Sequence, residues 1–534
     1  MRSIFRNIFE GFAINRFTSF GSGVQYLLRD LYTTDRAAGA VNGTLAEPTG
    51  QTRTVTDGNS KLSITGGNLS FATGGVGAGN PGLWYPSMSL LTGRVLLATV
   101  TIGDSVAKNS AMFGWDTSAA GAINNSITFA DAVLKITANG ATVVNVGVYT
   151  DGVAYTLTVI QRSIGGSFML IKGGAFTNQT MIWNHTSGTI AILPGITVVT
   201  GTAGIFTADN IRVPVLTYIP APLAYDTFTR SDGVLGSTET TGPDAQAIAA
   251  LAWAFTTGIW TIATNKAVGT PVLGADVIVN GAFAADSDWT KGTGWSIAAG
   301  VAAAVTATAD LTQTVAPLTA ETWYTTVYTV SGFAAGTVQA VVGGISYPTH
   351  AANATYTETG RAGTTAFKFT GAGYTGSLDN VSSKVLVTAE LFASVLVSTA
   401  DVFADVAVTL SAALGGLQAG LVLNLDSTST PQNYILCYLD GRGNCVLEER
   451  VAGVTTIKFT TAITYSAGAV LRVIRDGTSC RVFYNNLAVS TVQTMSTNVS
   501  QNHGLFSTSA SNSLDGVVLW PRGTGSEYAA SNSM

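Results

Sequence analysis

Charge is scarce in this chain of 534 residues: Asp, Glu, Lys and Arg make up 11% of it, less than half the roughly 25% of an ordinary soluble domain. With 26 Lys+Arg against 31 Asp+Glu and no basic stripe, the sequence carries no electrostatic footprint for nucleic acid. Glu, Lys and Arg are also too few to run the heptads of a coiled coil. No apolar run approaches the roughly 18–20 residues of a membrane helix, so no membrane insertion is expected. The apolar share of 46% comes largely from Ala and Val. Cysteine is limited to Cys437, Cys445 and Cys480, an odd number that builds no disulfide framework and points to free buried thiols. If the turn Asp440-Gly441-Arg442-Gly443 is centred on Gly441, Cys437 and Cys445 face each other and can bridge; a one-residue change of register separates them.

Gly, Ala, Ser and Thr fill the space that charge leaves, with 60 glycines. Alternating Val, Ile, Leu, Phe and Trp recur along most of the chain, which argues against disorder. At about 150 residues per domain the length corresponds to roughly 3.6 domains.

Residues 1–36 stand apart. Ile4, Phe5, Ile8, Phe9 and Phe12 recur at the 3–4 spacing of one helix face, and Val24 to Leu31 is expected to form a second short turn or helix. Arg6, Glu10 and Arg16 break the apolar core that a secretory signal needs. The segment is read as a helical anchor that docks into a larger assembly, ahead of the alternative that it folds back on its own first domain. The Ser/Gly/Asn-rich end, 523–534, is expected to be a flexible tail.

From about residue 37 the pattern is β. Runs such as Val95–Ile102, Tyr155–Ile160, Tyr434–Leu439 and Val470–Ile474 alternate apolar and polar side chains, and Gly, Asn, Asp or Thr turns separate them. Many short strands at this spacing predict an all-β chain of tandem antiparallel β-sandwich or jelly-roll domains after the short N-terminal helical anchor. Internal similarity divides it. Asn59–Leu69 resembles Gly258–Val268, and Tyr155–Gly165 resembles Ala469–Gly477. Gly204–Pro214 resembles Gly504–Thr508 followed by Leu514–Pro521. The first copy spans 37–217. The second fits 222–273 plus 386–522 once residues 274–385 are set aside as an inserted domain.

Tyr225-Asp-Thr-Phe-Thr-Arg-Ser-Asp-Gly-Val-Leu-Gly236, then Gly258-Ile-Trp260, Gly420–Leu425, Leu471–Gly477 and Gly504–Phe506, resemble concanavalin-like (laminin-G-like) jelly rolls of bacteriophage virion proteins. Asn280-Gly-Ala-Phe283, Asp288-Trp289, Gly294-Trp295 and Leu378-Asp-Asn-Val381 resemble carbohydrate-binding β-sandwich modules. The resemblance implies a structural protein displayed on the virion surface of a tailed phage, in a tail fibre, tail tip or head decoration, and assembled in the host cytoplasm. It implies other virion proteins (capsid, portal or tail components), a host surface polysaccharide and further copies of the chain as partners. The alternative is a surface or secreted carbohydrate-binding adhesin of a bacterium, and a polysaccharide depolymerase stands third.

No enzyme is expected. The Glu-x-Asp-x-x-Glu strand of related hydrolases is missing, and the adjacent Glu448 and Glu449 point to opposite faces of any strand. His185, His350 and His503 lie far apart, and no His/Cys spacing suits zinc. Sugar recognition uses flat aromatic faces, and the inserted segment offers Trp289, Trp323, Tyr324 and Tyr347 as the candidate carbohydrate-binding residues. Trp295 is read as core, Trp289 as core or binding face, and Trp323 and Tyr324 as one inward and one outward. The resemblance places Asp379 where many such modules hold a structural calcium, with plain turn capping as the equal alternative. Trp84, Trp115 and Trp183 are read as core or interface.

Overall fold

A computed structural model describes residues 26–523 apart from 57–59, 72–80, 90, 104–109, 119–122, 131, 139, 163–164, 187–190, 200–205, 216, 256–258, 388–389 and 411–417. Every regular element among the described residues is a strand. The anchor residues Ile4, Phe5, Ile8, Phe9 and Phe12 and the tail from 524 onward lie outside them.

Two sheets form the first sandwich. In one, the strands run Phe176–Thr186, Gly166–Gly173, Ala154–Gln161, Val95–Ile102, Phe206–Pro214, Asn68–Phe71 and Leu62–Thr65, and Tyr26–Asp30 also pairs with Phe206–Pro214. The other runs Ala141–Val148, Val133–Ala138, Asn125–Ala130, Ser110–Asp116, Leu193–Val199, Gly82–Trp84 and Thr54–Thr56. Alternation puts Val100, Leu157, Ile127 and Phe113 into the core between them. The helix expected near Val24–Leu31 is corrected here. Tyr26–Asp30 is a strand, with Leu28 opposite Val213, because its buried Leu28 fills the same core.

The second sandwich repeats this strand order and adds two short strands to it, Gly233–Val234 beside Ile259–Ile262 and Gln493–Thr494 beside Ser479–Tyr484. Its first sheet runs Leu487–Ala488, Ser479–Tyr484, Ala469–Asp476, Val402–Thr409, Ser513–Pro521, Ala267–Thr270 and Ile259–Ile262, with Ala224–Asp226 also on Ser513–Pro521. Its second runs Val454–Ala462, Asn444–Val451, Tyr434–Asp440, Gln418–Leu425, Asn502–Ser507, Leu391–Leu396 and Ala254–Phe255. The entry corner repeats as well. Asp30 accepts from the Tyr32 amide (3.2 Å) and takes both ends of the Arg53 guanidinium (2.6 and 2.7 Å). Asp226 accepts from the Phe228 amide (2.9 Å) and holds Arg230 at 2.6 and 3.0 Å. Tyr32 and Phe228 both sit at positive φ, 51° and 55°, where the aspartate's grip on the next amide but one holds the backbone.

The two sandwiches pack on each other through aromatic and guanidinium groups. Phe168 meets Trp520 edge-on at 5.0 Å and Trp183 meets Phe483 at 5.7 Å. The Arg472 guanidinium lies between Trp183 (4.2 Å) and Phe403 (4.6 Å) while paired with Asp405 at 2.7 Å. Thus Trp183 faces the neighbouring sandwich, whereas Trp115 lies in the first core with its indole N–H on the Val159 carbonyl at 3.0 Å.

The fifth sheet occupies Leu273–Leu386, between two successive strands of the second sandwich, Ala267–Thr270 and Leu391–Leu396. The corresponding connection in the first sandwich joins Asn68–Phe71 to Gly82–Trp84. Two 20-residue strands, Trp323–Val342 and Phe367–Leu386, pair along their length and carry the shorter strands on both sides. They enclose a separate core of Tyr324, Tyr328, Val338, Phe369 and Leu378.

All three cysteines are free and buried. Leu439 pairs with Cys445 and Cys437 with Leu447, so the turn centres one residue later than Gly441. The Asp440 carboxylate accepting from the Arg442 and Asn444 amides (2.9 and 2.8 Å) sets that register. The two thiols are diagonal neighbours on the core face, and burial followed by contact with Cys445 pushes the Cys437 thiol up.

Candidate functional site: a groove under the inserted sandwich

The sheet holding Tyr434–Asp440 is buried on both faces. Ile435, Cys437 and Leu439 face the core between the sheets, while Tyr434, Leu436 and Tyr438 point the other way and join Phe392, Val422, Val446 and Phe506. Period-two alternation produces both faces from one strand. The equivalent outward face in the first sandwich carries the hydroxyls of Ser126, Thr128 and Thr137, linked at 3.1 Å. The aromatic version therefore belongs to the copy that carries the insertion.

The inserted sandwich covers this aromatic face incompletely. A hollow of about 300 Å³ remains, with Trp323, Arg361, Glu390, Tyr438, Glu448 and Phe506 among its walls. Arg442 continues it into a space of about 370 Å³ beside Tyr347. On the other side Trp323, Arg361 and Glu390 also border a space of about 470 Å³ that reaches Arg450 and Gln432. Together the three form a groove of a size that suits small-molecule or oligomer recognition.

Its polar groups are arranged in pairs. Tyr438 donates its hydroxyl to Glu448 at 3.3 Å, and Tyr434 donates to Glu390 at 3.3 Å. Arg450 reaches the Tyr434 oxygen at 3.5 Å and Glu390 at 3.7 Å. Burial, and after it the charge of Glu390, raises the Glu448 carboxyl to about 7. Burial likewise pushes the Tyr434 and Tyr438 phenols up, so both remain donors. Glu449 turns to the opposite face, where it takes the Ser496 amide at 2.6 Å and Lys458 at 2.8 Å.

The structure distributes the sequence-derived candidates unequally. Trp289 is buried against Phe283, Phe367 and Phe369, with its indole N–H on the Asn280 carbonyl at 3.1 Å. Tyr324 is buried in the same core, and its hydroxyl oxygen accepts from the Thr319 amide at 2.8 Å. Neither offers a face to a ligand, which corrects that expectation: the small module needs both rings to fill its own core. Trp323 alternates outward and borders the groove. Tyr347 is 2% exposed yet edges the adjoining space, its ring fitting because residue 360 is glycine (a Cβ there meets the Tyr347 oxygen at 2.7 Å). Trp295 is core, with its indole N–H on the Ala309 carbonyl at 2.7 Å.

Asp379 caps its own turn, accepting from the Asn380 amide at 2.6 Å and side chain at 3.1 Å. Among the described residues no group of three or more His, Cys, Asp or Glu stands ready for a metal. The residues present do not fit the six or more oxygens of a calcium site. Sequence reasoning passed over Tyr434, Tyr438, Glu390 and Arg450, and it weighed Glu448 only against Glu449, which does point to the opposite face. The signal was available in part: Tyr434 and Tyr438 share a face at i, i+4 of a strand, as do Glu448 and Arg450 at i, i+2.

No family model matches the chain, and no curated protein matches it. Among solved structures, it is similar to a carbohydrate-binding module, CBM66 from Bacillus subtilis, at 12% identity and a TM-score of 0.19, covering 26% of this chain and 83% of that one. It is also similar to the exoplasmic/lumenal domain of VIP36 in its Ca2+/Man3GlcNAc-bound form, at 8% identity and a TM-score of 0.25, covering 32% and 86%. A β-1,3-glucanase from Mycobacterium marinum gives 14% identity and a TM-score of 0.23, covering 36% and 99%. With every TM-score this low, the assignment rests on the sheets themselves: the chain is a multi-domain all-β protein of antiparallel β-sandwiches.

Proposed function

We propose that the protein is a carbohydrate-contact protein that displays β-sandwiches, and that the groove under the inserted sandwich is where it holds a polysaccharide. The observation that carries this reading is the pairing of aromatic walls, Trp323, Tyr438 and Phe506, with carboxylate, guanidinium and phenol groups at the same hollow. Aromatic faces cover the apolar side of a pyranose, and the polar groups exchange its hydroxyl hydrogen bonds with water. The reading is binding; Glu390 and Glu448, each accepting from a tyrosine, are the carboxylates that bond cleavage would need, so the test also follows the release of reducing ends. A glycan array probed with the intact chain is expected to give saturable binding that Trp323→Ala weakens at least tenfold, with no reducing ends released. Unchanged binding in Trp323→Ala would move recognition away from the groove.

A second reading, display on a phage particle, is favoured by the one-face spacing of Ile4, Phe5, Ile8, Phe9 and Phe12. It predicts that a chain lacking residues 1–25, with the strand Tyr26–Asp30 kept, no longer co-sediments with particles, while its retention there would end that reading.

A further inference from the structure

We propose that the crease between the first and second sandwiches is a binding site for an amphipathic carboxylate, an unbranched acyl chain whose carboxylate end pairs with Arg481. This site is independent of the carbohydrate groove and lies on the far side of the second sandwich's other sheet.

The crease encloses about 560 Å³ and is lined mainly by aliphatic carbon, with Val146 and Val148 on one wall and Val482, Phe483, Val489 and Val492 on the other. Val148 at its edge is 67% exposed and Val492 is 43% exposed. Asn145, Ser490 and Thr491 also line it, and an apolar hollow with few polar groups and one charge is the usual form of a site for a small apolar ligand with one charged end. The charged group is the Arg481 guanidinium. Its side chain is 4% exposed, and Nε and Nη1 are buried with no hydrogen-bond partner among the described residues. It lies over the Phe176 ring at 4.4 Å, and that ring approaches Gly147 on the strand that forms the first wall.

A buried guanidinium with two unpaired nitrogens is costly, since these forfeit water and gain no hydrogen bond in return. Asp476, whose charge acts on it, is already committed to the Thr180 hydroxyl at 3.0 Å and to Arg522 at 3.3 Å. Burial accordingly lowers Arg481 from its ordinary value. A carboxylate meets this deficit with two parallel N–H···O bonds, and a straight acyl chain matches walls of valine. No acid among the residues named at the crease competes for the position.

The test is calorimetric titration of the intact chain with sodium decanoate and with 1-decanol, which differ in the anionic head. The expected result is saturable decanoate binding at least tenfold tighter than decanol. Arg481→Met retains a side chain over Phe176 and is expected to abolish that preference without lowering Tm. Val148→Trp, which fills the crease mouth and leaves Arg481 untouched, is expected to weaken decanoate at least tenfold. The proposal falls if wild type shows no saturable decanoate binding, if decanol binds equally well, or if Arg481→Met retains the preference. A short peptide with a free C-terminal carboxylate that displaces decanoate at tenfold lower concentration would overturn the acyl assignment in favour of a peptide.

Discussion

Asp30 shows at the scale of one residue how little the low charge of this chain is spread and how much it is concentrated. Arg53 and Asp30 are both fully buried, and the Tyr85 hydroxyl adds a further contact to the carboxylate at 2.8 Å. Removing one member of such a pair strands the other charge in the core. Asp30→Ala is therefore expected to cost about 3–5 kcal/mol, read as a lower urea midpoint. Asp30→Ala combined with Arg53→Met should recover part of that loss; if the double variant is no more stable than the single one, the stranded-charge account fails. Glu448 makes stability depend on pH. Its folded-state carboxyl is raised to about 7 from the ordinary 4.5 by burial and Glu390, with Arg361, Arg450 and Tyr438 pulling the other way. Between these values the unfolded chain releases a proton that the folded chain keeps, so this residue's contribution to stability declines as pH rises from about 4.5 to about 7. The difference in Tm between Glu448→Gln and wild type is expected to grow in the variant's favour across that window and to level off above it. A difference that stays flat with pH would place Glu448 in an ordinary solvated environment.

At the scale of elements, alternation was legible and distance was not. Val95–Ile102 and Tyr434–Asp440 are strands in the structure, the first ending in apolar/polar alternation and the second a short apolar run closed by a turn and buried on both faces. The repeats Asn59–Leu69 and Gly258–Val268 supply matching hairpins, Leu62–Thr65 with Asn68–Phe71 and Ile259–Ile262 with Ala267–Thr270. What local pattern cannot show is which partner covers an exposed-looking face. Tyr434, Leu436 and Tyr438 gave no sign of being covered by a segment about a hundred residues earlier in the sequence, and Tyr26–Asp30 acquires its strand only from Phe206–Pro214. Trp289 was equally ambiguous, since an aromatic that fills a small core and one that stacks on a sugar look alike in sequence. Glycine in a strand carries a readable message where backbones come close. At Gly504 a Cβ meets the Ala393 carbonyl oxygen at 2.0 Å. Gly504→Ala must push Asn502–Ser507 away from Leu391–Leu396, the strand that leads out of the insertion. An expected loss of about 1–3 kcal/mol should appear as a Tm drop of several degrees, and a neutral substitution would show that this sheet yields freely.

For the whole molecule, the duplicated topology and the nested sandwich imply different degrees of independence. The first and second sandwiches share buried aromatics: Phe403, Phe483 and Trp520 of the second belong to the same apolar cluster as Phe168 and Trp183 of the first. The inserted sandwich instead has its own core, and its two ends meet, with Leu273 paired to Leu386 and Asp276 to Lys384. A chain whose ends are adjacent can be removed with little loss of closure entropy elsewhere. Replacing residues 277–382 by a short Gly/Ser linker is therefore expected to leave cooperative unfolding of the remainder. It would also uncover Tyr434, Tyr438 and Phe506, so binding of an apolar dye should rise and polysaccharide binding should disappear. Deleting residues 1–217 exposes Phe483 and Trp520 at a face built to be covered, and that product should aggregate. If the two deletions behave alike, the nested sandwich is as much a part of the scaffold as the first. If they differ as expected, the scaffold is the duplicated pair, and the insertion converts an aromatic sheet face into a groove.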